Sequence, residues 1–410
     1  MPRSTEALLG ELLTALEAQL PAAVELRHEL HAIPELAHQE RRTSELVAAS
    51  LPVPVEAIAG TGLLATVAAN DSSGVAPVAI RAELDGLPVA ERTGAAFSAT
   101  GGTMHACGHD VHMAALVALL RAAASLDELP APLLAMFQPS EEAYPSGAQQ
   151  IVEQLRAEHP PRPSPLAMVA AHVHPELPWG TLALDPGVVN AASDSVEIAV
   201  LGEPTHGAYP HHGRDPILAI AQIVVALHAL IGRRVDPLAP ALVNVGILEG
   251  GSTENVVPAR ARARASLRTY RERDRAALRE LAQEVVYGVA TAHGCTATVE
   301  LIAGEPALEN DARIVASARG LLANASLGAA DPWRSCGSDD FAFFGELAPL
   351  AMAFVGLRGA PSFMPRPLHH PELLPPDEAV GVVARAQALL YVGALAALRA
   401  GPLEAGLSSP

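Results

Sequence analysis

The sequence predicts an α/β protein with two domains: a larger one built on a mixed, mostly parallel sheet flanked by helices, and a ferredoxin-like module inserted into it. Short apolar stretches alternate with helical patterns over most of the chain, which is typical of parallel sheets. Between residues 188 and 303 the order of elements is instead β-α-β-β-α-β, as in ferredoxin-like modules. We therefore expect residues 1–187 and 304–410 to form the larger domain and residues 188–303 the module.

The elements of the larger domain are predicted from apolar periodicity and from the prolines and glycines between them. Helical patterns cover residues 5–20, 22–32, 113–120, 314–325 and 379–398. Strand-like stretches cover residues 62–69, 75–82, 133–137, 167–171 and 351–356. The last helix is as apolar as a membrane span, but Arg385 and Gln387 lie in its interior, so we expect a buried terminal helix.

The elements of the inserted module follow the same rules. Its predicted strands cover residues 193–201, 242–248, 257–269 and 296–302, and its predicted helices cover residues 215–233 and 274–293.

The composition excludes several classes of protein. The net charge of −18 opposes binding to nucleic acid or to an anionic membrane, since both need a basic surface, and we expect neither partner. All 27 basic residues are arginines. The absence of lysine excludes a lysine Schiff base, lysine-anchored pyridoxal phosphate and a phosphate-binding loop that ends in Gly-Lys.

The cysteines and the N-terminal segment indicate the cellular compartment in which the protein is expected. The three cysteines form no Cys-x-x-Cys pair, so we do not expect a disulfide framework. Glu6, Glu11 and Glu17 interrupt the leucines of the first segment, which predicts an amphipathic helix rather than a signal peptide. These observations favour a soluble cytoplasmic protein.

Metal-ligand residue types are concentrated in residues 104–112, with the sequence M-H-A-C-G-H-D-V-H. Thiolate, imidazole and carboxylate groups are the ligands that zinc and related metals prefer. If the chain is extended here, His105, Cys107 and His109 share one face. The alternative is that these residues are buried and hydrogen-bonded at a helix start, with Asp110 as the N-cap. The density of ligand types favours the metal site.

Further polar residues follow other predicted strands. Asp85 follows the strand at 75–82, the pair Glu141 and Glu142 follows the strand at 133–137, and His172 follows the strand at 167–171. The carboxyl ends of such strands are where sites form in open α/β sheets. One carboxylate of the glutamate pair could bind metal while the other reaches a water molecule; a solvated acidic turn is the alternative.

Two histidines come from more distant segments. His369 follows a long proline-rich loop, and a ligand delivered in this way could complete a metal site. His206 lies in the inserted module, where an imidazole could donate a hydrogen bond to a developing oxyanion. A surface turn is an equally good interpretation of the segment around His206.

The chain resembles the aminoacylase/carboxypeptidase family of two-metal amidohydrolases, and within it the branch of hippurate hydrolases and plant indole-acetyl-amino-acid hydrolases. The resemblance covers nearly the whole length, and its most specific motifs are M-H-A-C-G-H-D at 104–110 and F-Q-P-S-E-E at 137–142. The other matching motifs are R-H-E-L-H-A-I-P-E-L at 27–36, R-A-E-L-D-G-L-P at 81–88, H-G-A-Y-P-H at 206–211, N-V-V-P at 255–258, G-S-D-D-F at 337–341 and L-H-H-P at 368–371.

The resemblance implies a role for each matching residue. It implies two divalent metal ions, zinc or manganese with cobalt as a further choice, held by Cys107, His109, Glu142, His172 and His369. Glu141 matches the general base, Asp85 a carboxylate that orients a ligand, and His206 a residue that stabilises the oxyanion, often from the partner subunit. Asn255 and Arg268 match positions near the carboxylate of the substrate. The inserted module would be a lid and dimerisation domain of a homodimer.

Two positions depart from the branch pattern, and four histidines lie next to predicted ligands. Glu83 stands where aspartate is usual, and Asp339 stands where glutamate is usual. These changes bear on packing beneath the metals and on the substrate pocket. The neighbouring histidines, which we expect to support ligands or pack against them, are His105, His112, His174 and His370.

The sequence therefore predicts a metal-dependent hydrolase that cleaves the amide bond of a small-molecule N-acyl amino acid. Three alternatives stay open: a metallodipeptidase or carboxypeptidase on the same scaffold, a cysteine hydrolase that uses Cys107, and a non-catalytic metal-containing binding protein.

Overall fold

The computed structural model describes residues 4–69, 75–159 and 164–399, and these residues divide into two compact units. Unit 1 comprises Met1–Gly187, Glu309–Trp333 and Phe343–Pro410, and unit 2 comprises Val188–Leu308 and Arg334–Ala342. Residues 334–342 thus group with unit 2, although they follow a part of unit 1 in the sequence. The functional roles of the two predicted domains stay predictions.

The helices of the described residues account for most of the predicted helical segments. They are α1 (Thr5–Glu17), α2 (Leu20–His31), α3 (Arg41–Ser50), α4 (His109–Ala124), α5 (Gly147–Ala157), α6 (Pro216–Arg234), α7 (Glu272–Ala292), α8 (Ala312–Arg319) and α9 (Glu378–Arg399). Short 3-10 helices cover Pro210–His212, Ala323–Ala325 and Asp340–Glu346.

The strands of the described residues, in chain order, are β1 (Val55–Ile58), β2 (Gly62–Val67), β3 (Val78–Glu83), β4 (Leu133–Gln138), β5 (Ala167–Pro178), β6 (Thr181–Ala183), β7 (Gly187–Asn190), β8 (Ala192–Leu201), β9 (Thr205–His206), β10 (Ala241–Gly250), β11 (Val256–Val257), β12 (Arg260–Thr269), β13 (Thr296–Ala303), β14 (Leu308–Asn310), β15 (Gly328–Ala329) and β16 (Leu350–Arg358).

Unit 1 is built on an eight-stranded sheet in the order β1-β2-β4-β3-β5-β16-β6-β15. Its centre, β4-β3-β5-β16, is parallel, and antiparallel pairs occur towards both ends. Every residue of β3 is buried, because helices cover the sheet. Parallel strands of this kind need apolar side chains on both faces. The predicted mixed, mostly parallel sheet flanked by helices is confirmed.

The packing of the terminal helix α9 accounts for its apolar composition. Its residues Glu378–Ala397 are long and apolar enough to span a membrane, but this segment is 89% buried, because the helix packs on α1, α4, α8 and the strands β5 and β16. A second helix of comparable length and apolarity, Pro216–Arg234, lies in unit 2 and is 33% buried. The predicted buried terminal helix is therefore confirmed.

Unit 2 contains a four-stranded antiparallel sheet in the order β10-β12-β8-β13, with α6 and α7 packed on it. The chain order β8-α6-β10-β12-α7-β13 combined with this strand order defines a ferredoxin-like module. Apolar side chains alternate along β8 and β12 and point towards the two helices. The predicted βαββαβ module is confirmed.

Several elements were not predicted, and one predicted helix is too long. The helices α3 and α5 and the strands β1 and β6 are among those that were not predicted, because short elements give weak periodic signals. The helix predicted at 314–325 ends at Arg319, with Gly320 as its C-cap, and residues Ala323–Ala325 form a separate 3-10 helix. The strand predicted to end at residue 171 continues to Pro178, because β5 stays paired with β16.

Buried ionic contacts tie α2 to α4 and to the loop before α9. Arg27, which is 1% exposed, donates from Nε to Asp110 at 2.8 Å and from Nη1 to Asp377 at 2.6 Å. His31 contacts Asp110 through Nδ1 at 2.9 Å and Glu91 through Nε2 at 3.1 Å. Burial opposes protonation of His31, but these two carboxylates outweigh it and raise its pKa to about 9.

The His31 imidazolium is expected to make the free energy of unfolding depend on pH. The pKa of His31 is about 9 in the folded protein, whereas its ordinary value is 6.5. The contribution of His31 to the free energy of unfolding is therefore fully present below pH 6.5 and is lost as the pH rises through 9. At about 1.4 kcal/mol per pKa unit, the contribution is about 3 kcal/mol. Denaturant unfolding at pH values across this window would measure it. The variant H31Q should lose this part of the pH dependence, and an unchanged dependence would contradict the assignment.

Candidate metal centre

The segment that carries Cys107 and His109 is a turn into α4, not an extended strand. Gly108 has φ 85° and directly precedes the helix, which starts at His109. A Cβ on Gly108 would lie 2.5 Å from Cγ2 of Val173, so this close approach requires glycine. The expectation that His105, Cys107 and His109 share one face of a strand is therefore wrong. The alternative N-cap is wrong as well, because Asp110 lies inside the helix and binds Arg27.

Cys107 faces His172 across this turn. The Cys107 Sγ lies 3.5 Å from Nε2 of His172, and both side chains are buried. The Nδ1 of His172 lies 2.7 Å from the Val173 carbonyl, so it must donate, and Nε2 carries the lone pair. Burial lowers the pKa of His172 well below its ordinary value, so the ring is neutral. A neutral imidazole with a free lone pair beside a sulfur is suited to bind a metal.

His109 presents its Nε2 to two carboxylates. Its Nδ1 donates to the Asp85 carbonyl at 2.8 Å, while Nε2 lies 3.8 Å from Oε2 of Glu141 and 3.9 Å from Oε1 of Glu142. The Nε2 atom of His109 is buried and has no hydrogen-bond partner among the described residues. Buried polar atoms without partners are costly, so a group that binds them is expected here.

Asp85 supports this arrangement from the end of β3. Its backbone carbonyl accepts the proton of His109 Nδ1, and its Oδ2 accepts from the backbone N–H of Glu142 at 3.0 Å. Burial of the carboxyl group raises the pKa of Asp85 to about 6, against the opposing effect of His109. Asp85 therefore orients both the histidine and the glutamate turn.

His369 reaches the same turn from the loop before α9. Its Nε2 lies 3.2 Å from Oε1 of Glu142, and its backbone N–H donates to the Ala106 carbonyl at 2.8 Å. Burial would raise the pKa of Glu142, but the contacts with His369 and His109 outweigh it and lower the pKa. Glu142 is therefore a carboxylate and can bind a cation.

Three overlapping groups of ligand atoms, each with all atoms within 4.8 Å of one another, result from these contacts. The members are Cys107, His109 and His172; Cys107, Glu142 and His369; and His109, Glu141 and Glu142. Cys107, His109 and Glu142 each belong to two of these groups, as expected for adjacent metal positions that share ligands. Sulfur, imidazole and carboxylate ligands together with the unpartnered, buried Nε2 of His109 fit divalent metals.

A fourth group of the same kind is already satisfied by hydrogen bonds. His112 Nδ1 donates to Oε2 of Glu83 at 2.9 Å, and its Nε2 accepts from the Val173 N–H at 3.0 Å. Glu83 also forms an ion pair with Arg81, and this pair helps to hold its pKa well below the usual range despite burial. These residues support the wall behind His172 and leave no ring nitrogen of His112 for a metal.

The other neighbouring histidines also have contacts of their own. His105 donates from Nδ1 to the Asp85 carbonyl at 3.2 Å, and burial lowers its pKa to about 3. His174 packs against Trp333 with ring centroids 4.7 Å apart. His370 Nδ1 accepts from the Glu372 N–H at 3.1 Å. Among the described residues, these three belong to no group of potential ligands.

Two candidate residues of unit 2, His206 and Asn255, lie on segments that pair with each other. His206 on β9 pairs with Val256 on β11, and the Gly207 N–H donates to the Asn255 carbonyl at 2.7 Å. His206 Nδ1 accepts from the Ala208 N–H at 3.0 Å, so a neutral His206 carries its proton on Nε2. Arg268, which is half-buried on β12, donates to Oγ of Ser266 and to Oγ of Ser338.

Sequence reasoning assigned a supporting role to Asp85 but did not identify two other buried supports, Arg27 and His31. Arg27 and His31 appeared only inside a motif of the resemblance, and their contacts with Asp110 join segments that are 83 and 79 residues apart. No local pattern reports such a pairing. The available signal was that α2 carries charged residues on its buried face. Because buried charges are found mainly in pairs, these residues could have been expected to have charged partners.

Cysteine, histidine and glutamate side chains that converge after the central strands of a mostly parallel sheet indicate a metal-dependent hydrolase, and comparisons with known proteins agree. Residues 79–390 match the model of peptidase family M20/M25/M40. The chain belongs to this family and is a metal-dependent amidohydrolase.

Individual relatives show the same likeness. The chain is 33% identical to N-acetyl-L-cysteine deacetylase of Bacillus subtilis over 90% of its own length and 86% of that relative. It is 31% identical to N-acetyldiaminopimelate deacetylase of Exiguobacterium sibiricum, over 88% of its length and 96% of that relative. The crystal structure of Bacillus subtilis YXEP, described as a dinuclear metal binding peptidase from the M20 family, superposes with a TM-score of 0.77 at 28% identity and covers 92% of this chain and 98% of that chain.

Proposed function

We propose that this protein hydrolyses the amide bond of N-acyl amino acids, releasing a carboxylate and a free amino acid. The observation that carries the proposal is Glu141, a carboxylate beside the potential ligands His109 and Glu142. The activities named for two relatives, deacetylation of N-acetyl-L-cysteine and of N-acetyldiaminopimelate, support this substrate class. Larger acyl groups, as in hippurate or indole-acetyl amino acids, belong to the same proposal. We also propose that the enzyme is soluble and cytoplasmic.

In the proposed site, two divalent metal ions are bound by Cys107, His109, Glu142, His172 and His369. When bound, they supply a polarised carbonyl and a water with a pKa lowered to about 7. The mixed sulfur, nitrogen and oxygen donors fit zinc or cobalt, and the imidazoles and carboxylates also accept manganese.

The chain's own residues perform the remaining steps of the proposed reaction. Glu141 takes a proton from the attacking water and passes it to the leaving amine. His206 donates its Nε2–H to the developing oxyanion, consistent with the acceptor role of its Nδ1. Asp85 holds His109 and the Glu142 backbone in place. Arg268 and Asn255 bind the carboxylate of the substrate, for which a guanidinium group is well suited.

The structure disfavours one alternative directly. A cysteine hydrolase would need a thiolate at Cys107, but burial and the nearby glutamates Glu142 and Glu141 raise the pKa of this thiol well above its ordinary value. A cation beside the sulfur removes that obstacle, which favours a metal ligand. A dipeptidase or carboxypeptidase on the same scaffold differs in the substrate pocket and stays an alternative.

Metal removal and readdition should test the proposed reaction. Chelator-stripped protein is expected to be inactive on acetyl, benzoyl and indole-acetyl amino acids, and zinc, manganese or cobalt should restore hydrolysis of at least one acyl class. Release of the free amino acid measures turnover, and a panel of unblocked dipeptides serves as the control. Hydrolysis of dipeptides alone would favour a peptidase. Full activity in the presence of chelator would contradict the metal site.

We further propose that the enzyme is a homodimer that associates through unit 2. The helix α6 exposes Leu218 and Val225, with 51% and 63% of their surfaces accessible. The strand β10 lies at the edge of its sheet, and its outer side has no partner strand among the described residues. An apolar helix face beside an open strand edge suits pairing with a second copy.

Charged residues on this face should separate the dimer. We expect the double variant L218E/V225E to elute as a monomer in size-exclusion chromatography with light scattering, where the unchanged protein elutes as a dimer. The variant E280Q, on the exposed side of α7, serves as a surface control. A double variant that remains dimeric would place the interface elsewhere.

A further inference from the structure

We propose that Glu40, which lies outside the potential ligand set, is a positioning residue that fixes the turn bearing Glu141 and Glu142. This inference rests on the proposed function, because it assigns Glu40 to the support of the proposed base and one proposed ligand. Glu40 is fully buried at the N-terminus of α3. A buried carboxylate is found mainly where specific donors hold it, so its partners indicate its role.

Three donors converge on the Glu40 carboxylate. Its Oε1 accepts from the Ser140 N–H at 2.8 Å and from the His38 N–H at 2.9 Å. Its Oε2 accepts from Oγ1 of Thr61 at 2.6 Å. Ser140 immediately precedes Glu141, so one side chain connects the start of α3 to the peptide that enters the glutamate turn.

The turn after β4 depends on an unusual backbone conformation at Ser140. This residue has φ 47°, in the left-handed region that residues other than glycine rarely adopt. Its carbonyl accepts from the Gly147 N–H at 2.9 Å, and its Oγ donates to the Ala143 carbonyl at 2.9 Å. Gly147 approaches so closely that a Cβ there would lie 1.7 Å from the Pro139 carbonyl oxygen. Such a conformation persists only where neighbouring groups hold it, and Glu40 supplies the acceptor for its N–H.

The two glutamates are thus held from both sides. Glu40 fixes the Ser140 N–H before them, and Asp85 fixes the Glu142 N–H at 3.0 Å on the far side. The carboxylate of Asp85 also accepts from the backbone of Glu141. If the Ser140 anchor is lost, the turn keeps its Asp85 contacts, but the peptide that enters Glu141 is no longer fixed from the α3 side, and the Glu141 side chain can move away from the water that it has to deprotonate. Catalytic groups must be held to fractions of an ångström, so such a rotation is costly.

The positioning role depends on the length of the side chain at position 40 and not on its charge. Glutamine at position 40 keeps an oxygen that can accept from both backbone N–H groups, and its amide can donate to the Thr61 hydroxyl. Aspartate keeps the negative charge but is shorter by one methylene, about 1.5 Å, and cannot reach the Ser140 N–H. The positioning role therefore predicts that E40Q is mild and E40D severe, whereas a role for the charge predicts the opposite order.

The experiment compares E40Q and E40D with a matched control variant at Glu35, which is E35D. Glu35 lies on the same segment, and its Oε2 accepts from the N–H and Oγ1 of Thr43 at the start of α3. E35D therefore shortens a carboxylate that supports the same helix without touching Ser140. Each variant would be measured for cobalt affinity by titration of the metal-free protein, for kcat at saturating metal, and for melting temperature.

We expect E40D to lose at least ~10-fold in kcat and in affinity at the weaker cobalt site, as changes to groups that orient ligands commonly do. E40Q should stay within about threefold of the unchanged protein and E35D within about twofold, with similar melting temperatures for E35D and E40D. Unchanged cobalt affinity and kcat in E40D would overturn the proposal. Equal losses in E40Q and E40D, or in E35D and E40D, would also overturn it.

The cobalt measurement separates this inference from the proposed function. If the unchanged protein hydrolyses no N-acyl amino acid, the proposed function fails, and the order of cobalt affinities still decides the role of Glu40. If the unchanged protein is active and E40D matches it in both measurements, the positioning role fails alone.

Discussion

The variant E141Q is expected to lower kcat by about 10²–10⁴-fold while the protein keeps its metal content, since a general base contributes this range. Glutamine has nearly the same shape as glutamate but cannot accept a proton at neutral pH. Because Asp85 holds the Glu142 N–H, the turn should keep its position when the neighbouring side chain becomes neutral. Hydrolysis kinetics together with metal analysis of the purified variant would measure both effects.

The matched control for this experiment is E142Q, one residue further along the same turn. Glu142 contacts His369 at 3.2 Å and takes part in two of the potential ligand groups, so its loss should reduce bound metal. The two variants thus separate base from ligand. An E141Q variant that retains activity would exclude Glu141 as the base, and an E141Q variant that loses metal would make Glu141 a ligand.

The variant H206A is expected to lower kcat by about 10²–10³-fold with unchanged metal content, as removal of one oxyanion donor does. The Ala208 N–H occupies Nδ1 of His206, so the neutral ring offers its Nε2–H to a ligand. The variant H211A, which changes an exposed histidine five positions further on, is the control and should be close to the unchanged protein. An H206A variant with normal kcat would remove His206 from the mechanism.

If the proposed homodimer forms, mixing two inactive variants would show which subunit supplies the proposed oxyanion donor His206. In a heterodimer of H206A and E141Q, one site has both functional residues only if His206 acts across the dimer. Mixing under conditions of subunit exchange should then recover activity, up to about half of normal for each heterodimer. If His206 acts within its own chain, both sites stay incomplete and the mixture remains inactive.

Much of the architecture could be predicted because it depends on local patterns. The alternating burial of β8 and the long apolar helix α9 appear directly in the residue order, and the strand–helix order indicated the ferredoxin-like module. The ligand types that meet in the candidate metal centre could be expected as well, because Cys107, His109 and a glutamate pair are side chains that metals prefer, and their roles stay predictions.

The details that failed depend on contacts between distant segments. The shared face of His105, Cys107 and His109 depended on an extended chain, but the chain turns at Gly108, where Val173 on β5 leaves no room for a side chain. Glu40 was not considered at all, since its partner Ser140 is 100 residues away. A sequence shows which groups are available for such contacts, whereas the tertiary fold decides which of them meet.

The contacts of Arg27 also have a consequence for biosynthesis. Arg27 binds Asp377, 350 residues further along the chain, and the central strand β5 pairs with β16, which begins at Leu350. A ribosome must therefore release nearly the whole polypeptide before the central sheet and the His369 loop can assemble. Until then the apolar helix α4 and the strands beside it lack their cover, and nascent chains of this kind depend on chaperones to avoid aggregation. Expression at low temperature with extra chaperone capacity should raise the yield of folded enzyme.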